Sequence, residues 1–284
     1  MTPTLSQLPS LYIVATPIGN LGDMSYRAIE ILKQVDVIAT EDTRHSARLL
    51  KHFDIATPML ALHEHNEATQ FKKILLRIQQ GQSVALISDA GTPLVSDPGY
   101  RLTHEARKLN IPVIPIPGSC AAITALSASG LPSDRFIFEG FLPAKQNARL
   151  QRLTTFDNET RTMIFYEAPH RVLSTLKDMI QIFGENRHVV IARELTKLHE
   201  TIHDDSLSDA VIWLENNTEQ QRGEFVILVE GSTKIKKSVL TDEDIRILKI
   251  LLESLPTKQA ASLAAKITGK NKNVFYKIGA QTYR

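Results

Sequence analysis

One stretch of this 284-residue chain indicates how the rest is organised: Leu86-Ile87-Ser88-Asp89-Ala90-Gly91-Thr92-Pro93-Leu94-Val95-Ser96-Asp97-Pro98-Gly99. An apolar run stops here, and a loop of small and polar residues follows. Glycine lets a backbone turn with positive φ and lets a ligand approach closely, and proline fixes turns. Connections between a strand and a helix usually have about two to six residues. The longer loop therefore predicts a place where a small molecule is held against main chain, although an ordinary connection remains the alternative.

The first 120 residues alternate between short apolar runs and helical patterns five times. The apolar runs cover residues 11–15, 35–40, 59–62, 84–87 and 112–116. This alternation predicts parallel strands joined by helical crossovers. Each run ends in a cluster of Gly, Pro or charged residues, and ligands of such sheets bind at the carboxyl ends of the strands. The pattern therefore places a binding site at that edge.

The second half of the chain predicts a different sheet, followed by a helical end. Apolar runs at residues 135–138, 162–166, 188–192 and 224–229 have fewer crossovers between them, which indicates a mixed sheet. We therefore expect an α/β fold with an N-terminal α/β domain (1–120) and a second α/β domain (121–235). From Thr241 onward the pattern is helical: Thr241-Asp242-Glu243-Asp244 predicts a helix cap, and three short helices in 236–284 resemble a helix-turn-helix.

Charge is distributed unevenly along the chain. Residues 236–284 carry ten Lys and Arg against four Asp and Glu, a net charge of +6, whereas the rest of the chain carries −4. A basic tail on a slightly acidic body suggests an anionic partner, nucleic acid first, or else a solvated helical face. The chain has no apolar run near 18 residues and no signal-peptide pattern at its start, so we expect no membrane span and a cytoplasmic location.

Several kinds of chemistry find little support in the sequence. The P-loop and nucleophile-elbow motifs are absent, and Pro17 stands where a dinucleotide fingerprint needs its first glycine. His63 and His65 lack a third ligand at metal-binding spacing, so no metal is expected. The single cysteine, Cys120, excludes an internal disulfide and is more typical of a small buried hydrophobe than of a nucleophile.

Six motifs together carry a family resemblance. They are Ala15-Thr16-Pro17-Ile18-Gly19-Asn20-Leu21-Gly22-Asp23, Glu41-Asp42-Thr43-Arg44, Ser88 to Gly99, Pro115-Ile116-Pro117-Gly118-Ser119, Tyr166-Glu167-Ala168-Pro169-His170-Arg171 and Arg193-Glu194-Leu195-Thr196-Lys197. They resemble the tetrapyrrole-methylase-like (class III) methyltransferases over nearly the whole chain. Thr92 stands where the tetrapyrrole enzymes have Asp, and it matches the ribosomal RNA branch of the family.

The resemblance implies a homodimer whose two α/β domains hold S-adenosylmethionine in the cleft between them. The residues expected to contact this cofactor come from the ends of strands in both domains. They are Pro17, Asp89, Gly91, Thr92, Pro93, Val95, Ser119, Cys120, Ala121, Phe165, Tyr166, Leu195, Thr196, Gly223 and Glu224. Asp89 and Asp97 are expected to shape the loop and face the cofactor rather than to act as the base.

The ribosomal RNA branch methylates the ribose 2′-oxygen of a cytidine in the decoding region of 16S rRNA, within the 30S subunit. A ribose hydroxyl is a poor nucleophile until its proton is removed, which requires a base. The predicted catalytic residues are Asp42 first, then His65 and Glu67, with Lys197 as a further candidate; Asp42 has the alternative role of a helix cap. The residues predicted to bind rRNA are Arg44, Lys145, His170, Arg171, Arg193, Lys258, Lys270 and Lys272.

Two other functions remain open at this point. A methylase of a tetrapyrrole ring would use the same fold but would have no need of the basic tail. A non-catalytic RNA-binding or ribosome-assembly protein would need the tail but not the cofactor.

Overall fold

The computed structural model describes residues 8–63, 66–233 and 240–282. Its first sheet contains five strands, all parallel, in the order β3-β2-β4-β1-β5. The strands are β1 (Leu11–Val14), β2 (Val37–Thr40), β3 (Met59–Ala61), β4 (Val84–Ile87) and β5 (Val113–Ile116). Every residue of β1, β2 and β4 is buried, as expected for a parallel sheet that helices cover on both faces.

Four helices cover the two faces of this sheet. They are α1 (Tyr26–Gln34), α2 (Thr43–His52), α3 (Glu67–Gln79) and α4 (Tyr100–Lys108). Apolar residues of α1 and α2 pack with Tyr12, Val14 and Ile38, whereas α3 and α4 pack with the alternate residues Leu11 and Ile13. The alternation of side chains along a strand thus sends α1 and α2 to one face and α3 and α4 to the other.

The second sheet is mixed, in the order β6-β7-β10-β8-β9. Its strands are β6 (Phe136–Phe141), β7 (Thr162–Glu167), β8 (His188–Arg193), β9 (Thr201–Ser206) and β10 (Phe225–Val229). Only β6 and β7 pair in parallel, and the other three pairs are antiparallel. This sheet confirms the predicted fold class.

The helices of the second half divide between the two faces of its sheet. Helices α6 (Gln146–Thr154), α7 (Val172–Phe183) and α8 (Leu207–Asn216) pack on one face. Helix α5 (Ala121–Ala128), the last of the five predicted strand–helix repeats, packs on the other through Ala122, Ala125 and Leu126. The start of α5 therefore brings the edge of the first sheet next to the second.

The chain forms two compact units, residues 1–231 and 232–284. The first contains both sheets. The second contains α9 (Asp242–Leu252), α10 (Thr257–Thr268) and α11 (Lys272–Thr282), which surround a small core with Phe275 fully buried. The predicted cap is present: the Thr241 hydroxyl accepts a hydrogen bond from the backbone N–H of Asp244. No helix in the described parts of the chain is long and apolar enough to cross a membrane.

Candidate cofactor and active site

The loop after β4 is held in place by the loops that follow its neighbours in the sheet. Thr16 and Gly91 exchange two backbone hydrogen bonds, of 2.8 and 3.1 Å. The Thr92 hydroxyl donates to the carbonyl of Ser119 over 2.9 Å. Since these partners follow β1 and β5, the loop is braced along the carboxyl edge of the sheet.

A cavity of about 410 Å³ lies between this loop and the second sheet. Its size is typical of pockets that enclose a small organic ligand. Twenty residues from both halves of the first unit line it: Ile18, Asp89, Ala90, Gly91, Thr92, Val95, Ser96, Asp97, Cys120, Ala121, Phe141, Tyr166, Glu167, Ala168, Pro169, Ala192, Leu195, Glu224, Phe225 and Val226. The cleft expected between the two α/β domains is therefore present.

The structure brings most of the predicted cofactor residues together in this wall. Those that line the cavity are Asp89, Gly91, Thr92, Val95, Cys120, Ala121, Tyr166, Leu195 and Glu224. Those that do not are Pro17, Pro93, Ser119, Phe165, Thr196 and Gly223. Because side chains alternate along β7, Phe165 points into the core on the side opposite its neighbour Tyr166, which leaves only its backbone to face the cavity side of the sheet.

The other predicted residues that do not line the cavity lie next to residues that do. Pro17 and Pro93 are buried, and their neighbours Ile18 and Thr92 face the cavity instead. The Ser119 carbonyl accepts the hydrogen bond from Thr92, and the backbone of Thr196 donates to Glu200. These positions follow the correct strands, but sequence order alone did not show which neighbour faces inward.

Asp97 is the wall residue whose chemistry the sequence did not reveal. Its carboxyl is half-buried, and this burial raises its pKa from an ordinary 3.8 to about 6. A hydrogen bond from Ser88 opposes the shift, while the nearby charges of Glu41 and Asp89 add to it. A carboxylate with a pKa close to neutrality is a suitable proton acceptor, because it is ionised at pH 7 yet binds a proton readily.

Asp42, the first predicted base, caps a helix. Its Oδ1 accepts hydrogen bonds from the backbone N–H groups of Arg44 at 2.7 Å and His45 at 3.4 Å, at the start of α2. These bonds, with the charges of the same two residues, hold its pKa below the ordinary value. A capping carboxylate of this kind is a weak proton acceptor, so the alternative role given to Asp42 is the one the geometry favours.

Glu67 also serves a helix end. Its Oε1 accepts from the backbone N–H groups of Gly99 at 3.2 Å and Arg101 at 3.3 Å, where α4 begins. The carboxylate thus ties α3 to α4 and is not a residue of the cavity wall. His65 lies outside the described residues.

Tyr166 and Lys197 are polar groups that keep their protons. The Tyr166 hydroxyl oxygen accepts from the backbone N–H of Ala122 at 3.1 Å, and burial raises its pKa well above the ordinary value. For Lys197, burial lowers the pKa, but hydrogen bonds to Glu194 and Glu224, at 2.9 and 3.0 Å, outweigh this and raise it overall. Lys197 therefore stays charged and cannot act as the base.

Three of the predicted RNA-binding residues form internal interactions. The buried Arg193 donates to the carbonyls of Arg222, His199 and Glu219 and to Gln220, an arrangement that favours a structural role over phosphate binding. Arg171 pairs with the fully buried Glu167 carboxylate, and Lys270 pairs with Asp244. The remaining predicted RNA-binding residues are exposed: Arg44, Lys145, His170, Lys258 and Lys272.

Comparison with known proteins adds independent evidence. A model of the tetrapyrrole (corrin/porphyrin) methylases matches residues 10–211, and a model of the RsmI C-terminal HTH domain matches residues 238–281. Ribosomal RNA small subunit methyltransferase I of Pseudomonas aeruginosa is 54% identical over 96% of this chain and 97% of its own length. The protein of the same name from Escherichia coli O157:H7 is 51% identical over 95% and 94% of the two chains.

A solved structure shares the fold at much lower identity. The cobalamin biosynthetic enzyme cobalt precorrin-4 methyltransferase superposes with a TM-score of 0.59 and 16% identity, over 78% of this chain and 94% of that one. These matches agree with the two-sheet architecture and with the cavity between the sheets. The chain therefore belongs to the tetrapyrrole (corrin/porphyrin) methylase family and, within it, to the group of ribosomal RNA small subunit methyltransferases I.

Proposed function

We propose that this chain is an S-adenosylmethionine-dependent methyltransferase of small-subunit ribosomal RNA. The observation that carries the proposal is the 54% identity, over nearly the full length of both chains, to a relative whose name states that activity. The C-terminal match supports it as well, because it covers the basic helices that a small-molecule methylase would not need. The cavity supplies the remaining requirement, a place for the cofactor.

The residues of the cavity fit S-adenosylmethionine in both shape and charge. Gly91 has a φ of +85°, which L side chains rarely adopt, and an added Cβ would make a tight contact of 3.3 Å with Ile18 Cγ2. Apolar side chains such as Val95 and Val226 offer contact surface for a purine. Four carboxylates line the cavity, of which Glu167 is paired with Arg171 and Glu224 with Lys197, so Asp89 and Asp97 are the two without an ion-pair partner among the described residues. An acidic wall suits a ligand that carries a sulfonium and an ammonium group.

The chain contributes alignment and proton acceptance to the transfer. When bound, S-adenosylmethionine supplies a methyl group made electrophilic by its positive sulfur. The cavity is lined from both halves of the first unit, and a site that aligns two reacting groups supplies much of the rate of a displacement reaction. The Asp97 carboxylate, which lines the cavity, would accept the proton that the acceptor oxygen loses on methylation. Tyr166 remains neutral, so it lines the cavity without adding a charge to it.

The acceptor atom and the assembly follow from the resemblance and complete the proposal. We propose the ribose 2′-oxygen of a cytidine in the decoding region of 16S rRNA as the acceptor, in a cytoplasmic homodimer. Light scattering on the purified protein measures its mass in solution, and the mass of a single chain would contradict the proposed dimer.

A tetrapyrrole methylase is the second candidate, favoured by the likeness to cobalt precorrin-4 methyltransferase. That likeness, at 16% identity, shows only a shared fold. The net charge of +6 on residues 236–284 favours an anionic polymer instead.

Two measurements separate these functions. Calorimetric titration with S-adenosylmethionine is expected to show saturable binding, and its absence would favour a non-catalytic RNA-binding protein. Incubation with labelled cofactor and either 30S subunits or uroporphyrinogen should then label only the RNA. Label in the porphyrin fraction alone would contradict the proposal.

A further inference from the structure

Helix α2 presents an exposed face made of basic side chains. Its ten residues include Arg44, His45, Arg48, Lys51 and His52, all exposed, and no acidic residue. Ser46 and Leu50 are its buried residues. At about 100° per residue, Arg44, Arg48 and Lys51 fall on one stripe of the helix, opposite the side that packs on the sheet.

The side chains of this stripe have no close carboxylate partner among the described residues, although the charge of Arg44 acts on the nearby Asp42. Neither arginine, nor Lys51, forms an ion pair with any residue that the structure describes. Some exposed arginines elsewhere in the chain do have carboxylate partners, such as Arg152 with Glu139 and Arg161 with Glu159. The carboxylate at the start of α2, Asp42, is bound to backbone N–H groups of the helix. The stripe is therefore free to bind an external anion.

The stripe begins beside the cavity. The backbone N–H of Asp42, which precedes α2, donates to Oδ1 of Asp89 over 3.2 Å, and Asp89 lines the cavity. Arg44 lies two residues further on. From Arg44 to Lys51 the helix advances about 10 Å, so the stripe leads away from the cavity rim as a continuous track.

We propose that this face of α2 binds the phosphate backbone of the RNA segment that carries the acceptor nucleotide. The inference rests on the proposed function and deepens it, because it assigns the part of the catalytic unit that holds the substrate. Guanidinium groups bind phosphate oxygens through paired hydrogen bonds, and an extended track of them suits a polyanion rather than a single small anion.

The test is the salt dependence of RNA binding by a variant of the full-length protein with the three substitutions Arg44→Gln, Arg48→Gln and Lys51→Gln. Each phosphate contact with a single strand contributes about 0.7 to the slope of log affinity against log salt, so three lost contacts should reduce the slope by about two. We expect affinity for 30S subunits to fall about tenfold or more at low salt. The affinity for S-adenosylmethionine should be unchanged, because none of the three residues lines the cavity.

Two matched variants make the result specific. The triple substitution Lys72→Gln, Lys73→Gln and Arg77→Gln removes the same charge from α3, which packs on the opposite face of the sheet, and should leave the slope nearly unchanged. The double substitution Arg44→Lys and Arg48→Lys keeps the charge and should therefore keep the salt slope of the wild type, while the loss of paired guanidinium hydrogen bonds should lower affinity less than the charge-removing triple substitution does.

The outcomes distinguish this inference from the proposed function. The assignment of α2 is overturned, while the function stands, if the wild-type protein binds 30S subunits and the α2 and α3 variants show the same reduction in the slope of log affinity against log salt. If the wild-type protein neither binds nor methylates ribosomal RNA, both proposals fail. Unchanged thermal unfolding and cofactor binding in the α2 variant establish that any loss of RNA affinity comes from the surface.

Discussion

Replacing Asp97 with Asn should make the protein more stable and at the same time less active. In the folded protein, burial holds the pKa of this carboxyl at about 6, against an ordinary 3.8. The folded state therefore binds the proton more tightly than the unfolded state does. The stability gained by protonation is fully present below pH 3.8 and is lost as the pH rises through about 6. At pH 7 the ionised carboxylate consequently destabilises the fold.

The size of this destabilisation can be worked from the pKa difference. Taken in full, a displacement from 3.8 to about 6 corresponds to about 3 kcal/mol. Because the carboxyl is only half-buried, solvent screening reduces this to about 1 kcal/mol. Asp97→Asn should thus raise the free energy of unfolding by about 1 kcal/mol at pH 7.5, or Tm by about 2–4 °C. At pH 4 the gain should vanish, because the wild-type carboxyl is then protonated in the folded state.

The same substitution removes the proposed proton acceptor. General-base catalysis contributes about 100-fold to 10,000-fold, so the single-turnover rate of methyl transfer at saturating RNA should fall about 100-fold or more. In the wild type, the rate should fall about tenfold between pH 7 and pH 5 as the carboxylate takes up a proton. The variant should lose this pH dependence.

Asp89→Asn is the matched control, since Asp89 lines the same wall. It should retain a pH-dependent rate, with a midpoint slightly below that of the wild type, because the charge of Asp89 is one of the causes that raise the pKa of Asp97. The reasoning is refuted if Asp97→Asn keeps a rate within about threefold of the wild type, or if its only defect is weaker cofactor binding. It is refuted equally if the variant gains no stability at pH 7.5.

Three further predictions concern residues whose roles the structure defines. Asp42→Asn should keep both activity and Tm, because Asn caps a helix as well as Asp does, whereas Asp42→Ala should lower Tm. A methyl-transfer rate about 100-fold lower in the Asn variant would restore Asp42 as the base. Arg193→Met should destabilise the first unit by about 3 kcal/mol in chemical denaturation, because buried carbonyls lose their hydrogen-bond donor. The variant that does fold should bind RNA with the affinity of the wild type. Weaker RNA binding by the folded variant would argue for contact between Arg193 and phosphate. A chain ending at residue 231 should bind S-adenosylmethionine with unchanged affinity in calorimetry but bind 30S subunits more weakly; unchanged binding to the subunits would remove the role of the basic helices.

The sequence predicted the elements whose stability comes from local pattern or from complete burial. The strands of the first sheet are continuous apolar runs, and the cap at Thr241 is formed by neighbouring residues, so both could be identified in advance. Strand β9 could not, because Thr-Ile-His-Asp-Asp-Ser is polar and half-exposed at the sheet edge. It becomes a strand through six paired residues along β8.

Within the candidate site, the unpredicted features depend on contacts between distant parts of the chain. Glu67 binds the start of a helix more than thirty residues away, a contact that no local motif announces. The sequence predicted that Arg193 is available to bind rRNA, because the carbonyls that surround it come from other loops and could not be recognised in advance. The burial that raises the pKa of Asp97 likewise arises only when the loop closes against the second sheet. Motifs located the wall of the cavity, but the protonation and the availability of its side chains required the fold.

The central claim is tested most directly by locating the transferred methyl group. The purified protein is incubated with methyl-labelled S-adenosylmethionine and with 30S subunits from a strain that lacks the corresponding activity, and the RNA is then digested to nucleosides. The account predicts label in a 2′-O-methylcytidine from the decoding region of 16S rRNA. Label on a base, or no label in RNA while cofactor binding is intact, would contradict it.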